Sequence, residues 1–310
     1  MTSSAIAVSG LRKAYGDKVV LDGIDFEVPT GSIFSMLGPN GAGKTTTVNV
    51  LTTLQKADAG SVTVAGYDVA ANTKEVRAAI GVTGQFAAVD ELLSGRENLQ
   101  LIADLKRVRA GDRVTELLER FDLADSADKL ASTYSGGMRR KLDLAMTLVA
   151  APQIIFLDEP TTGLDPRSRR TMWQIVRELV AGGTSIFLTT QYLDEADQLA
   201  DQVAVLDHGR LVAQGTPEEL KRRIPGTHVR LRFTSLDELD AAARLLEGST
   251  RDDEELALRV PSDGGSRSLR DLLDRMDQNL INAEEFSVHS PDLDDVFLAL
   301  TGRTSEKENV

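Results

Sequence analysis

A glycine-rich stretch with one lysine, GPNGAGKTT, occupies residues 38–46 and has the composition needed to bind a polyphosphate. Its spacing fits G-x-x-x-x-G-K-[ST], and the apolar run SIFSML precedes it, as this pattern requires. The glycines let the backbone wrap a phosphate with its N–H groups pointing inward, and the following helix adds its positive end. A glycine-rich turn with an incidental lysine is the alternative, which the complete pattern disfavours. We call residues 38–46 the phosphate loop.

Within the phosphate loop, two side chains have separate roles. Lys44 can reach the β- and γ-phosphates, and the Thr45 hydroxyl can ligate Mg²⁺. The predicted nucleotide-binding residues of the loop are Gly38, Pro39, Asn40, Gly41, Ala42, Gly43, Lys44, Thr45 and Thr46.

Two adjacent carboxylates end a second apolar run, IIFLDEP, at residues 154–160. Asp158 at the strand tip is suited to holding Mg²⁺, directly or through water. Glu159 could polarise the water that attacks a γ-phosphate. Turn chemistry before a proline would also explain the pair in isolation. The phosphate loop in the same chain favours the catalytic interpretation.

A second anion-binding helix start is predicted in YSGGMRRKL, residues 134–142. Ser135, Gly136 and Gly137, here the Ser-Gly-Gly segment, precede a helix whose first N–H groups lack intrahelical partners. An ordinary serine-glycine helix cap is the alternative. One nucleotide needs only one such cradle, so the second is predicted to serve the nucleotide of another subunit.

Gln191 follows the apolar strand SIFLTT and precedes an acidic helix, in SIFLTTQYLDEADQLAD. Strand tips of open α/β sheets carry ligand-binding residues. The amide of Gln191 can donate and accept hydrogen bonds but cannot titrate. We therefore predict a γ-phosphate sensor, and the alternative is a residue that only caps the helix.

The elements that must position these residues alternate along the chain. Apolar strand patterns and helical patterns predict a mostly parallel sheet with helices packed on it over residues 1–225. Residues from about 92 to 150 are mainly helical and predict a subdomain. Residues 226–303 predict a small α+β regulatory or assembly domain, and residues 304–310 a disordered tail.

Composition restricts the classes of partner. The net charge is −13, and the segment from Gly226 onward contributes −9 of it. Such a surface repels nucleic acid, so DNA or RNA binding is not expected. There is no cysteine for a disulfide or thiolate metal site, and no apolar run long enough to span a bilayer. With no secretory signal pattern at the N-terminus, a cytoplasmic protein is predicted.

These motifs, in this order, resemble those of the ATP-binding subunits of ABC transporters over residues 5 to about 225. GPNGAGKTT resembles the Walker A loop, IIFLDEP the Walker B strand, and YSGGM the family signature. The resemblance implies an α/β P-loop ABC ATPase cassette, with a mostly parallel core, an antiparallel β subdomain and a helical subdomain. It also implies that Gln85 contacts Mg²⁺, that Asp165 lies at a dimer interface, and that Tyr15 stacks on adenine.

Gln191 stands where most of that family has histidine. Together with TYSGGMRRKLDLA and the C-terminal SPDLDDVFLALTG, it is similar to the subgroup of daunorubicin-type drug-resistance exporters and related lipid exporters. The signature here has Tyr134 and Met138 at its ends, although its Ser-Gly-Gly segment is intact.

The subgroup resemblance implies a partner set. Two copies, or one copy and a related cassette, would bind two ATP with Mg²⁺ between them and drive a separate integral-membrane permease. The chain would lie peripherally on the cytoplasmic face of the membrane and never contact the exported drug, antibiotic or complex lipid. The alternative is an ABC ATPase without a transporter, associated with translation or DNA; such proteins normally need two cassettes, a coiled coil or zinc-binding cysteines. A kinase or GTPase that shares only the phosphate loop does not explain YSGGM.

Overall fold

The computed structural model describes residues 4–85, 87–222, 228–262, 265–289 and 292–297. The chain forms two compact units, Met1–Pro217 and Glu218–Val310. The predicted boundary at Pro225 and the predicted tail at 304–310 lie outside the described residues. Among the residues described, no helix is both long and apolar enough to cross a membrane.

The first unit contains two sheets and the helices that pack on them. Its strands are β1 (Ser4–Tyr15), β2 (Lys18–Pro29), β3 (Ile33–Leu37), β4 (Ala59–Val64), β5 (Tyr67–Asp68), β6 (Ile80–Thr83), β7 (Ile154–Asp158), β8 (Ser185–Thr190), β9 (Gln202–Asp207) and β10 (Arg210–Gly215). Its helices are α1 (Lys44–Leu51), α2 (Thr73–Ala79), α3 (Gly95–Lys106), α4 (Arg113–Arg120), α5 (Gly136–Thr147), α6 (Pro166–Ala181) and α7 (Leu193–Leu199), and α8 (Pro217–Arg222) spans the boundary between the units.

The central sheet has the strand order β10-β9-β3-β8-β7-β6. All neighbours pair in parallel except β10, which is antiparallel to β9. Every residue of β3, β7 and β8 is buried, because both faces of the central sheet are covered, one by helices and the other by the antiparallel sheet together with α1. This is why these strands read as uninterrupted apolar runs in the sequence.

A smaller antiparallel sheet, in the order β2-β1-β4-β5, packs on the central sheet. Phenylalanine rings fill the space between the two sheets. Phe26 of β2 stacks on Phe34 of β3 at 5.2 Å, and Phe34 stacks on Phe187 of β8 at 5.5 Å. The predicted cassette fold, with its parallel core and antiparallel β subdomain, is confirmed.

Helices α3, α4 and α5 lie in the segment predicted to be mainly helical, and short 3₁₀ turns at Ala124–Ser126 and Ala131–Thr133 lie between α4 and α5. Helix α3 begins with a capping box in which Ser94 and Glu97 bond each other's backbone N–H groups. Tyr134, the first residue of the signature, is buried here, and its hydroxyl donates to the Ser126 carbonyl at 2.6 Å. A tyrosine at this position therefore anchors the start of α5 to the helical core.

The second unit contains a four-stranded antiparallel sheet in the order β12-β13-β11-β14, against which two helices pack among its described residues. Its elements are β11 (His228–Arg232), α9 (Leu236–Leu245), β12 (Thr250–Asp252), β13 (Ala257–Pro261), α10 (Ser266–Gln278) and β14 (Glu285–His289). Val229 and Leu231 of β11 face a core that includes Leu239 of α9 and Met276 of α10. The short strand β12 pairs with β13 at the edge of this sheet.

Candidate active site

The carboxyl ends of three neighbouring parallel strands bring the predicted residues to one edge of the sheet. Leu37, the last residue of β3, pairs with Thr190 at the end of β8, and Asp158 of β7 pairs with Thr189. The Gly38 N–H donates to the Thr190 carbonyl at 3.2 Å. The phosphate loop, the two carboxylates and Gln191 therefore share one edge of the sheet, as parallel topology requires.

Backbone geometry in the phosphate loop demands glycine at several positions. A Cβ on Gly38 would lie 2.3 Å from the Leu206 carbonyl oxygen, which no side chain can tolerate. Gly43 has φ 114°, and a Cβ there would lie 2.7 Å from a methyl group of Leu21. Gly41 has φ 84°, also in the left-handed region.

The N–H groups at the start of α1 are available to an anion. Among the described residues, the N–H groups of Gly41, Gly43, Lys44, Thr45 and Thr46 donate to no backbone carbonyl. The first turn of a helix leaves such donors unpaired and carries the positive end of the helix dipole. The loop thus fits a polyphosphate.

Lys44 is buried and points back along its own loop. Its Nζ donates to the carbonyls of Gly38 at 2.7 Å and Pro39 at 3.1 Å. It also lies 3.4 Å from Oε1 of Glu159. Burial lowers the pKa of Lys44, and the charge of Glu159 opposes that shift. This ion pair joins the phosphate loop to the residue that follows β7.

An oxygen-rich group suited to a hard divalent cation lies beside Lys44. The Thr45 hydroxyl donates to Oδ2 of Asp158 at 3.1 Å, and the Thr189 hydroxyl donates to Oδ1. Carboxylate and hydroxyl oxygens are the ligands that Mg²⁺ prefers. The donor set of Thr45 and Asp158 therefore fits Mg²⁺.

Glu159 has an unusual backbone conformation, with φ 49°. A non-glycine residue in the left-handed region costs on the order of 1–3 kcal/mol and persists only where its surroundings hold it. The Glu159 N–H donates to the Thr189 carbonyl at 3.1 Å, and the Thr162 hydroxyl donates to Oε2 at 3.3 Å. The side chain is only 7% exposed. These bonds hold the carboxylate against Lys44.

Gln191 follows β8 directly and is half-buried. The N-cap residue of α7 is Tyr192, and it makes no side-chain cap bond. The side-chain amide of Gln191 bonds to no other residue in the described ranges, so both its donor and its acceptor remain available at this edge.

Gln191→Ala is expected to slow ATP hydrolysis by about one to two orders of magnitude. A hydrogen bond to a charged group contributes roughly 1.5–3 kcal/mol, and about 1.36 kcal/mol corresponds to a tenfold change in rate. The measurement is steady-state release of phosphate, with Gln198→Ala, an exposed position on α7, as the matched control. Gln191→His should keep activity and add an inflection to the pH–rate profile near about 6.5. An alanine variant as fast as the parent would show that Gln191 is not a sensor.

The Ser-Gly-Gly segment starts α5 in a different part of the unit. Ser135 is the N-cap residue, and its hydroxyl accepts from the Met138 N–H at 3.2 Å. Within the part of the chain that is described, no hydrogen bond or ion pair links residues 135–137 to the phosphate loop. Gly136 instead lines a cleft of about 300 Å³ together with Gln85 and Thr162. Within the described residues, two separate helix starts thus leave N–H groups without a backbone acceptor, one in the phosphate loop and one at residues 135–137.

Two further predicted residues lie outside the cluster at the sheet edge. Asp165 is the N-cap residue of α6, where Oδ1 accepts from the N–H groups of Arg167 and Ser168, each at 3.0 Å. Tyr15 ends β1 with its ring 46% exposed, and its hydroxyl donates to the side chain of Gln55. The Lys13 ammonium lies over this ring, 5.5 Å from its centroid.

Arg140 and Glu195 are among the buried charged residues that the sequence did not predict, together with Asp143 and Asp207. Arg140 lies on α5 and bonds to backbone carbonyls around Asp158. Glu195 of α7 is fully buried, accepts from the Trp173 indole N–H at 3.1 Å, and has its pKa raised by that burial. Both residues stand in charged helical sequences, RRK and DEAD, that are typical of solvated helix faces, so no local signal marks them.

Known proteins with similar sequences and structures were compared with this chain. The family profile described as ABC transporter matches residues 21–162. The chain is 49% identical to the daunorubicin resistance ATP-binding protein DrrA3 of Streptomyces coeruleorubidus, over 97% of each chain. It is 36% identical to the Nod factor export ATP-binding protein I of Rhizobium sp. (strain N33), over 99% of this chain and 100% of the relative. A solved ATP-binding subunit of an ABC transporter matches with a TM-score of 0.65 at 27% identity, covering 71% of this chain and 93% of the other.

A phosphate loop between the buried parallel strand β3 and a helix, with Asp158 and Glu159 at the end of β7 two strands away, defines a P-loop ATPase. The chain belongs to the ABC transporter family, as one of its ATP-binding, ATP-hydrolysing subunits, and its relatives include drug-resistance ATP-binding proteins. The resemblance inferred from the motifs is confirmed at the level of family and subgroup.

Proposed function

We propose that this chain dimerises around two ATP molecules and powers a separate membrane permease that exports a drug, an antibiotic or a complex lipid. The dimer is supported by the second helix start suited to an anion, at residues 135–137. Among the described residues, it has no hydrogen bond or ion pair to the phosphate loop of its own chain. Each ATP then lies between the phosphate loop of one chain and the Ser-Gly-Gly segment of the other. Drug export is favoured because relatives at 49% and 47% identity are named for daunorubicin resistance.

Within each composite site, residues of this chain divide the chemistry. The backbone N–H groups of the phosphate loop and the ammonium of Lys44 bind the phosphates, and Tyr15 stacks on adenine. Thr45, Asp158 and Gln85 would hold Mg²⁺, which would neutralise charge on the β- and γ-phosphates. Glu159 accepts a proton from the attacking water.

Two residues complete the composite site. Gln191 donates to the γ-phosphate through its side-chain amide. Asp165 lies where the two chains meet.

An apolar cleft in the first unit supports the permease partner. It has a volume of about 340 Å³ and opens between β6 and helices α3 and α5. Its apolar lining includes Leu54, Ile80, Val82, Ile102 and Met146. Leu54 is 65% exposed and Val82 38% exposed, so both side chains are accessible to a partner.

We propose that an apolar helical segment of the permease docks in this cleft. Strand β6 leads directly to Gln85, so a docked segment would touch the element that we assign to Mg²⁺. This places the chain peripherally at the cytoplasmic face of the cell membrane, without contact to the transported molecule.

The permease partnership is tested by purification from detergent-solubilised membranes of the host. An affinity-tagged chain is expected to copurify with one polytopic membrane protein that lacks a phosphate loop. Leu54→Glu should reduce this recovery at least tenfold, because it places a charge in the apolar cleft. Leu236→Glu, at an exposed leucine on α9, is the matched control and should leave recovery unchanged.

Export is tested in cells that produce the chain together with that permease. These cells should accumulate less daunorubicin than cells with Glu159→Gln. Equal recovery of the permease with Leu54→Glu would reject the docking site, and equal drug accumulation would reject drug export.

A further inference from the structure

Arg140 of α5 makes an unusual set of contacts for a buried arginine. Its side chain is only about 9% exposed. Nε donates to the Pro160 carbonyl at 2.9 Å, and one terminal nitrogen donates to the Gly84 carbonyl at 2.7 Å. The other terminal nitrogen lies 3.4 Å from the Asp158 carbonyl and 3.5 Å from that of Glu159. The guanidinium thus holds backbone of two separate segments.

Those two segments carry the predicted catalytic and metal-binding residues. Residues 158–160, here the base turn, contain Glu159 in its left-handed conformation. Gly84 immediately precedes Gln85. Carbonyls at the end of β7 have left the strand ladder and need donors elsewhere. Arg140 supplies them from another element, and so helps to hold the strained backbone of Glu159.

The charge of Arg140 is balanced by one neighbour on its own helix. Asp143 lies 3.4 Å from the guanidinium and also accepts from the Ala88 N–H at 3.0 Å. Burial lowers the pKa of Arg140, and the charge of Asp143 opposes that shift. The planar, five-donor guanidinium can reach carbonyls in several directions, whereas a lysine ammonium is a point donor.

The same helix begins at the Ser-Gly-Gly segment, which connects Arg140 to a second ATP. Helix α5 runs without interruption from Gly136 to Thr147, and Arg140 follows one turn after Ser135. A phosphate bound by the first N–H groups of α5 would therefore contact the same helix whose Arg140 bonds to the base turn.

We propose that Arg140 is a positioning residue that ties the base turn and the Gln85 segment to α5, and so holds Glu159 of its own chain in place for hydrolysis. The inference rests on the proposed function, in which Glu159 is the base. Arg140 touches no nucleotide itself.

The first test is Arg140→Lys in steady-state ATP hydrolysis. Lysine keeps the positive charge but lacks the several donors of the planar guanidinium. We therefore expect kcat to fall at least tenfold while KM for ATP changes less than twofold. Arg139→Lys is the matched control, because Arg139 is the next residue, lies at the surface and pairs with Glu91. A loss of binding that equals the loss of kcat, or no change in either, would overturn the proposal.

Folding and assembly of the variant are checked separately. Arg140→Lys combined with Glu159→Gln should form the ATP-dependent dimer as well as Glu159→Gln alone does. Failure to form it would mean that Arg140 is needed to build the ATP-bound dimer and would reject the positioning role.

Mixed dimers show on which site Arg140 acts. A Lys44→Ala chain is mixed with an Arg140→Lys chain, so that the one working phosphate loop shares its chain with the altered arginine. This dimer should be slow. When both substitutions are on one chain and the other is wild type, the working site keeps its own Arg140 and should hydrolyse ATP at least tenfold faster. Equal rates would contradict the proposal.

The proposed head-to-tail dimer can be disproved separately from the role of Arg140. In that case a Lys44→Ala chain would regain no activity when mixed with a Ser135→Arg chain. Recovery in that mixture together with equal rates in the two arginine mixtures would reject the role of Arg140 alone.

Discussion

Glu159→Gln is expected to bind ATP but to hydrolyse it about 10²–10⁴-fold more slowly, the range typical of a missing general base. The amide keeps the size of the side chain and can still accept the bond from Thr162, so the base turn should keep its shape. The substitution also removes the negative charge of the Glu159 carboxylate, which lies 3.4 Å from Lys44 and would repel the γ-phosphate. ATP affinity should therefore hold or rise.

The same substitution should trap the dimer, because closure would no longer end in hydrolysis. Size-exclusion chromatography with ATP and Mg²⁺ measures the trapped form, and phosphate release measures turnover. Glu116→Gln, on the exposed surface of α4, makes the same chemical change away from the site and should behave like the parent. Turnover of Glu159→Gln within a few fold of the parent would falsify its assignment as the base.

Lys44→Ala is expected to lose nucleotide binding as well as hydrolysis. The ammonium is the buried positive charge of the phosphate loop, and its removal also leaves Glu159 buried without its counter-charge. ATP binding by equilibrium dialysis should fall below detection at concentrations that saturate the parent. Lys129→Ala, an exposed lysine, is the control.

Mixing Lys44→Ala with Ser135→Arg tests the composite site directly. Each homodimer should be inactive, since each of its sites carries one defect. In the mixed dimer both defects fall on one site, and the other combines an intact phosphate loop with an intact Ser-Gly-Gly segment. Activity should return to a substantial fraction of the parent rate. If the two chains associate and nothing returns, each ATP is not shared between chains.

The sequence by itself determined the phosphate loop, the two carboxylates and the cassette architecture. The loop is recognisable because its function depends on local backbone geometry, in which Gly38 and Gly43 have no room for a side chain. The strands β3, β7 and β8 are recognisable because burial on both faces makes them uninterrupted apolar runs. Parallel topology then places the ends of these strands at one edge, so the grouping of Lys44 with Glu159 also followed from the sequence.

Only the tertiary structure decided which charged residues lie inside. Arg139 and Arg140 are adjacent and identical in type, yet one is at the surface and the other holds carbonyls of residues 84 and 160. Those carbonyls come from segments far apart in the chain, and no local pattern encodes their meeting. Glu195 is buried for the same reason, because the indole that bonds it belongs to another helix. Burial of a charge depends on partners that folding brings together, and the residues next to it in sequence do not reveal them.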